Sequence, residues 1–160
     1  MIGNIRFITA AATFACTLAP ASAQAEEHGH HHAVVDSRQA IVLSQEERAA
    51  VLMEMRQFLT GIQSITSALA KDDVKAVAPI ARSLGMQAAH ETSAALRTKM
   101  PLEFRQKGMA VHQAFDQVAM DAESLGDVKH TLGQMGSLLQ TCVACHEQFR
   151  IERAVVRTKK

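Results

Sequence analysis

From Ser44 onward apolar residues recur at spacings of three and four, and strict apolar–polar alternation is nowhere sustained. Such a period lines side chains along one helical face, so the pattern predicts helices and no strand. The first helix enters at Ser44, with Glu47 three residues on. This is a capping box, which satisfies the free backbone amides of a helix start. Val51, Met55, Phe58, Ile62, Ile65 and Leu69 then share a face that Leu52, Leu59 and Thr66 widen. The helix should end near Ala70, where Lys71-Asp72-Asp73 forms a polar break and offers the next cap.

A second helix is expected from Asp73 to Thr98 on Val74, Val77, Ile80, Leu84, Ala88 and Leu96. Pro79 lacks an amide donor, so a kink near residues 75–79 or a late start is expected there. Met100-Pro101 marks the next boundary. A third helix runs to Ser124 with Leu102, Met109, His112, Phe115, Val118 and Ala119 on one stripe, and Leu125-Gly126 stops it. Asp127 caps a fourth, which continues to about Val155 through Val128, Leu132, Met135, Leu138, Leu139, Cys142, Cys145 and Phe149. Four amphipathic helices joined by short breaks imply an all-α fold, an antiparallel up-and-down four-helix bundle over residues 44–157. Facing helices of this length leave room for a flat cofactor.

Two segments precede that domain. Arg6, the apolar run Phe7 to Leu18 and the small residues Ala21-Ser22-Ala23 have the make-up of a cleavable export signal over residues 1–23. The run falls short of the roughly 20 apolar residues that a membrane anchor requires, and Pro20 and the small residues beyond it argue against one. Residues 24–43 read as a flexible, His-rich leader. It contains His28, His30, His31 and His32, a cluster that suits zinc, copper or nickel as well as a solvated tail.

Composition narrows the function classes. The chain has 17 Lys plus Arg against 16 Asp plus Glu; cleavage removes Arg6 alone, leaving 16 against 16. A near-neutral chain lacks the basic excess that nucleic acid or an anionic membrane surface calls for. Taking 23 residues from 160 leaves 137, enough for one core. Trp and Tyr are absent and the carboxylates follow no pairing that suggests acid–base work, so no enzymatic activity is expected.

Of three cysteines, Cys16 lies in the signal, and Cys142 and Cys145 remain. Export places them in an oxidising compartment, where a disulfide or a redox dithiol is one reading. The sequence Cys142-Val143-Ala144-Cys145-His146 has instead the spacing of c-type haem attachment. Two thiols three residues apart on one helical turn reach the two vinyl groups at a porphyrin edge. The imidazole that follows lies under the iron as its proximal ligand. One haem c per chain, bonded through Cys142 and Cys145 and ligated by His146, is the expected cofactor.

A single attachment motif in the last of four helices, continued as CHEQFR with His146, Phe149 and Arg150, resembles class II cytochrome c, the cytochrome c′ group with its low-spin relatives. The resemblance covers roughly Gln45 to Arg153, and only the motif region is specific. It implies a bacterial periplasmic protein, often a homodimer, that transfers electrons. In the family's five-coordinate branch it implies binding of nitric oxide or carbon monoxide. In this family the first helix covers the distal haem face with a methionine in low-spin carriers or an apolar blocker in cytochrome c′ proper.

Met55 lies on the apolar stripe with Val51, Phe58 and Ile62, whereas Met53 shares a face with Arg56, Gln57 and Thr60. Met55 is therefore the expected distal iron ligand, with Met53 or an open site as alternatives. Arg48 followed by Leu52 imitates the five-coordinate arrangement, an arginine ahead of an apolar distal residue. His90, His112 and His130 are competing imidazoles, and Arg150 suits a haem propionate or a solvated helix end. The expectation is a periplasmic one-electron carrier with redox partners unspecified, no nucleic-acid partner, no membrane span in the mature chain and a possible homodimer. A gas-binding haem protein and a metal-binding protein using the His-rich leader are the alternatives.

Overall fold

The computed structural model describes residues 35–90 and 93–155, most of them helical, with one small two-stranded sheet. The expected export signal and the leader histidines fall outside these residues. Strand β1 (Gln39–Leu43) precedes helix α1 (Gln45–Leu69). The expected capping box forms at Ser44: its Oγ accepts the Glu47 amide at 3.2 Å, and Glu47 Oε2 accepts the Ser44 amide at 2.9 Å. Val51, Phe58, Ile65 and Leu69 are buried along α1, while Leu59 and Thr66, expected to widen the stripe, are exposed.

The single second helix expected over residues 73–98 is divided into α2 (Val74–Arg82), α3 (Met86–Ala89) and α4 (Ala94–Lys99). Pro79 lies inside α2 and the helix continues past it, so the expected kink is not what breaks the segment. The first of the two breaks falls at Gly85, where a tertiary contact holds it. A Cβ on Gly85 would lie 1.8 Å from Asp116 Oδ1, and Asp116 Oδ2 accepts the Met86 amide at 3.0 Å. The Asp73 and Ser93 side chains cap α2 and α4.

Helix α5 (Leu102–Ser124) follows Pro101, and Gly126, at φ 63°, forms the turn into α6 (Val128–Gln148), which Asp127 caps. Helix α6 does not reach Val155. It stops at Gln148, and residues Phe149–Arg153 form β2, parallel to β1 with Gln39 opposite Phe149 and Leu43 opposite Arg153. Two expectations are corrected here, the absence of strands and a flexible leader through residue 43. The reason is burial. Ile41 and Leu43 point inward from β1, Phe149 from β2, and with Val51 and Leu96 they make a core cluster of their own.

The main core lies where α1, α2, α5 and α6 pack together. Phe115, Val118, Ile65, Val77 and Leu138 are almost wholly enclosed, and Phe58 stacks on Phe115 with ring centroids 5.6 Å apart. On α5 the inward face is Val111, His112, Phe115, Val118, Ala119 and Ala122; Leu102 and Met109, expected on that stripe, are exposed. Leu132 and Leu139 of α6 are likewise exposed. No helix among the described residues is long and apolar enough to cross a membrane.

Candidate functional site

Between α1, α5, α6 and the β1–β2 end lies a cavity of about 300 Å³ whose walls are mainly apolar. Helix α6 contributes Cys142, Cys145 and His146, the cysteines half-buried one turn apart and not bonded to each other. Across the cavity α1 contributes Val51, Leu52, Glu54, Met55 and Phe58; α5 contributes Phe104, Lys107, Gly108, Val111 and His112; the sheet end contributes Arg38, Phe149, Arg150 and Ile151. A Cβ on Gly108 would meet no heavy atom within 4 Å, so the α5 wall is open at that point.

Met55, Cys142, Cys145 and His146 therefore face one space, although 87 positions separate Met55 from Cys142 in sequence. Met55 is half-buried and packs against the main core. Met53 does not line it: it is 55% exposed and lines an adjoining cleft with Glu46, Gln57 and Met100, which shares Val51, Glu54, Phe58 and His112 with the cavity. Leu52 lines the cavity, whereas Arg48 is exposed and does not.

The competing histidines have other engagements. His112 is buried, with Nδ1 2.8 Å from the Leu84 carbonyl oxygen and Nε2 3.4 Å from Glu54 Oε1. Burial disfavours its charge, but the bonds to Glu54 and to the Leu84 carbonyl outweigh this and raise its pKa above the usual value. With both ring nitrogens so occupied it is poorly placed to coordinate a metal. His130 bonds Asp121 Oδ2 at 3.0 Å, and His90 is exposed.

Burial raises the pKa of both motif thiols; for Cys145 the nearby Lys107 opposes the rise in part. Reactive dithiols have depressed thiol pKa values, the opposite of the direction seen here. Arg38 lies over the motif. Its Nη1 donates to the His146 carbonyl oxygen at 3.2 Å, one of the last carbonyls of α6 that the helix itself leaves without a partner. Arg150 Nε donates to the Arg38 carbonyl oxygen at 3.1 Å, and Arg38 holds the Asp36 carboxyl at a pKa of about 2.

The donor set matches a covalently held haem in kind. It offers two thiols, an adjacent imidazole, a thioether on the opposite wall, apolar faces and cations at one end. Among the described residues no group of three or more His, Cys, Asp or Glu side chains converges as a bare metal ion would require. A haem needs only one or two axial ligands from protein, because the porphyrin supplies the other four. Sequence reasoning found Cys142, Cys145, His146, Met55, Leu52, His112 and Arg150, and missed Arg38, Phe104, Lys107 and Val111. Phe104 and Val111 share a helical face seven positions apart, a signal that was present; Arg38 and Lys107 carry no local one. Comparison with protein-family models, curated proteins and solved structures finds no match to this chain.

Proposed function

We propose that this chain is an exported, periplasmic mono-haem c-type cytochrome that carries single electrons, its helices forming an antiparallel four-helix bundle around the haem. The observation that carries the reading is the convergence of Cys142, Cys145, His146 and Met55 on one apolar cavity. In this reading Cys142 and Cys145 hold the haem by thioether bonds, His146 is the proximal ligand and Met55 the distal one. The bound haem supplies the redox centre. The protein's own residues fix its orientation, exclude water through Val51, Phe58, Phe104 and Val111, and hold the His146 end of α6 through Arg38. Thioether ligation favours the reduced metal and raises the potential.

Leu52 supports the second reading, a five-coordinate haem that binds nitric oxide or carbon monoxide, because it lines the same cavity from the same helix as Met55. One experiment separates the two. The protein is produced in a host equipped for cytochrome maturation, weighed by mass spectrometry, and its ferric form examined by optical and electron spin resonance spectroscopy. The carrier shows a covalent haem mass and low-spin iron with a sulfur-to-iron charge-transfer band, lost in Met55→Ala and kept in Met53→Ala. High-spin iron that takes up carbon monoxide readily would transfer the assignment to the gas binder. A colourless product of plain polypeptide mass would remove both.

A further inference from the structure

Three cationic side chains line the candidate cavity, and they differ in what already balances their charge. Arg38 is gripped by Asp36 through side-chain bonds of 2.9 and 2.7 Å. Arg150 lies against Glu152 and 3.8 Å from the same Asp36. Lys107 has no acid within ion-pair distance among the described residues. Glu103, one turn earlier on α5 and the ordinary partner at that spacing, is bonded instead to Gln148 Nε2.

Lys107 is nevertheless half-buried, on a wall it shares with the apolar side chains of Phe104 and Val111, and its charge is felt at Cys145. A half-buried lysine lays its apolar stem along such a wall and leaves its ammonium available to an anion. The cavity's one acid, Glu54, faces His112 at 3.4 Å, so Lys107 and the thiols border a space in which this cation has no ion partner, and whatever occupies that space meets both.

We propose that Lys107 is the counter-charge for a carboxylate of the group bound in this cavity. Resting on the haem reading, that carboxylate is a propionate, and the ring's acidic edge is turned towards α5 where the unmatched charge stands. Arg38 and Arg150, already neutralised by Asp36 and Glu152, serve the end of α6. A positive charge beside the ring favours the added electron, so Lys107 also raises the reduction potential.

The test uses holoprotein from a maturation-competent host, with Lys107→Gln, Lys107→Met and Lys107→Arg variants, the Met form keeping the apolar stem. Redox titration and resonance Raman spectra of the propionate bending region are the readouts. In the Gln and Met forms the ferrous-to-ferric ratio at fixed ambient potential should fall roughly three- to tenfold, tenfold being about 59 mV for one electron. The propionate band should shift with it, and Lys107→Arg should keep both near the parent values. In the parent protein the same band should move on transfer to deuterium oxide, a measurement that needs no variant to fold. A holoprotein whose potential and band ignore these changes would overturn the role of Lys107 alone, while a colourless protein would overturn the haem reading with it.

Discussion

Phe149 closes α6, opens β2 and packs beside the candidate site, so its removal tests how the motif's end of the fold is held. It is 4% exposed and meets Phe104 edge-on, ring centroids 5.5 Å apart and planes at 89°. Truncating a buried phenylalanine costs about 3–5 kcal/mol, of which an edge-to-face pair contributes about 0.5–1.5 beyond its buried area. Phe149→Ala should therefore take roughly 4 kcal/mol from a protein whose whole stability is about 5–15 kcal/mol. With a urea slope of about 2 kcal/mol per molar, the midpoint falls by roughly 2 M. Phe104 is only half-buried, so Phe104→Ala should cost about half as much. The double variant should lose less than the two together by about 1 kcal/mol, because the ring–ring term vanishes only once. Urea unfolding of the four proteins, followed by circular dichroism at 222 nm, gives each value. Leu59→Ala, at a position 68% exposed, serves as the control and should stay within about 0.5 kcal/mol. A coupling below about 0.3 kcal/mol would show that the two rings do not act as a pair.

The His112–Glu54 pair sets a pH dependence. The folded pKa of His112 is raised, so its contribution is fully present below the unfolded value of 6.5 and is lost as pH rises through the higher folded value. Urea midpoints taken from pH 5.5 to 9 should decline on the alkaline side in the parent and flatten in Glu54→Gln; an equally steep decline in that variant would refute the pairing. Gly85→Ala should cost about 1–3 kcal/mol by displacing the Asp116 carboxylate from the Met86 amide. In an Asp116→Ala background the same change should be nearly neutral, and thermal unfolding that shows equal costs in both backgrounds would dismiss the steric account.

How much was legible depended on how far apart the interacting residues are. The capping box at Ser44 and Glu47, the Asp127 cap and the Gly126 stop are written within a few neighbouring residues and stand where the sequence puts them. The motif is equally local, since three and four positions along a helix fix Cys142, Cys145 and His146 on one side whatever surrounds them. Periodicity also carried Met55 rather than Met53 to the cavity, because a helix can turn only one of two residues two apart towards the same wall. The division of the second helix was hidden. The break before α3 is held by the Asp116 carboxylate, 30 residues away, and Pro79, the visible breaker, is accommodated inside α2. The strands were hidden too. Five residues give too few alternations to stand out, FRIER could as well continue a helix, and neither segment has a strand partner nearby in sequence. Arg38 reached the site through the unseen strand pairing, whereas Lys107 stands on an expected helix but off its expected apolar stripe.

The side-by-side strands also dictate an order of assembly. Arg150 and Arg38, bonded across the sheet, stand 112 positions apart. Bringing such distant points of a free chain together carries an entropic penalty of about 4 kcal/mol, most of which is relieved once the intervening helices have condensed. The leading strand cannot pair until the chain as far as Arg153 is present and the helices between have packed, and only then can the floor beneath the motif be laid.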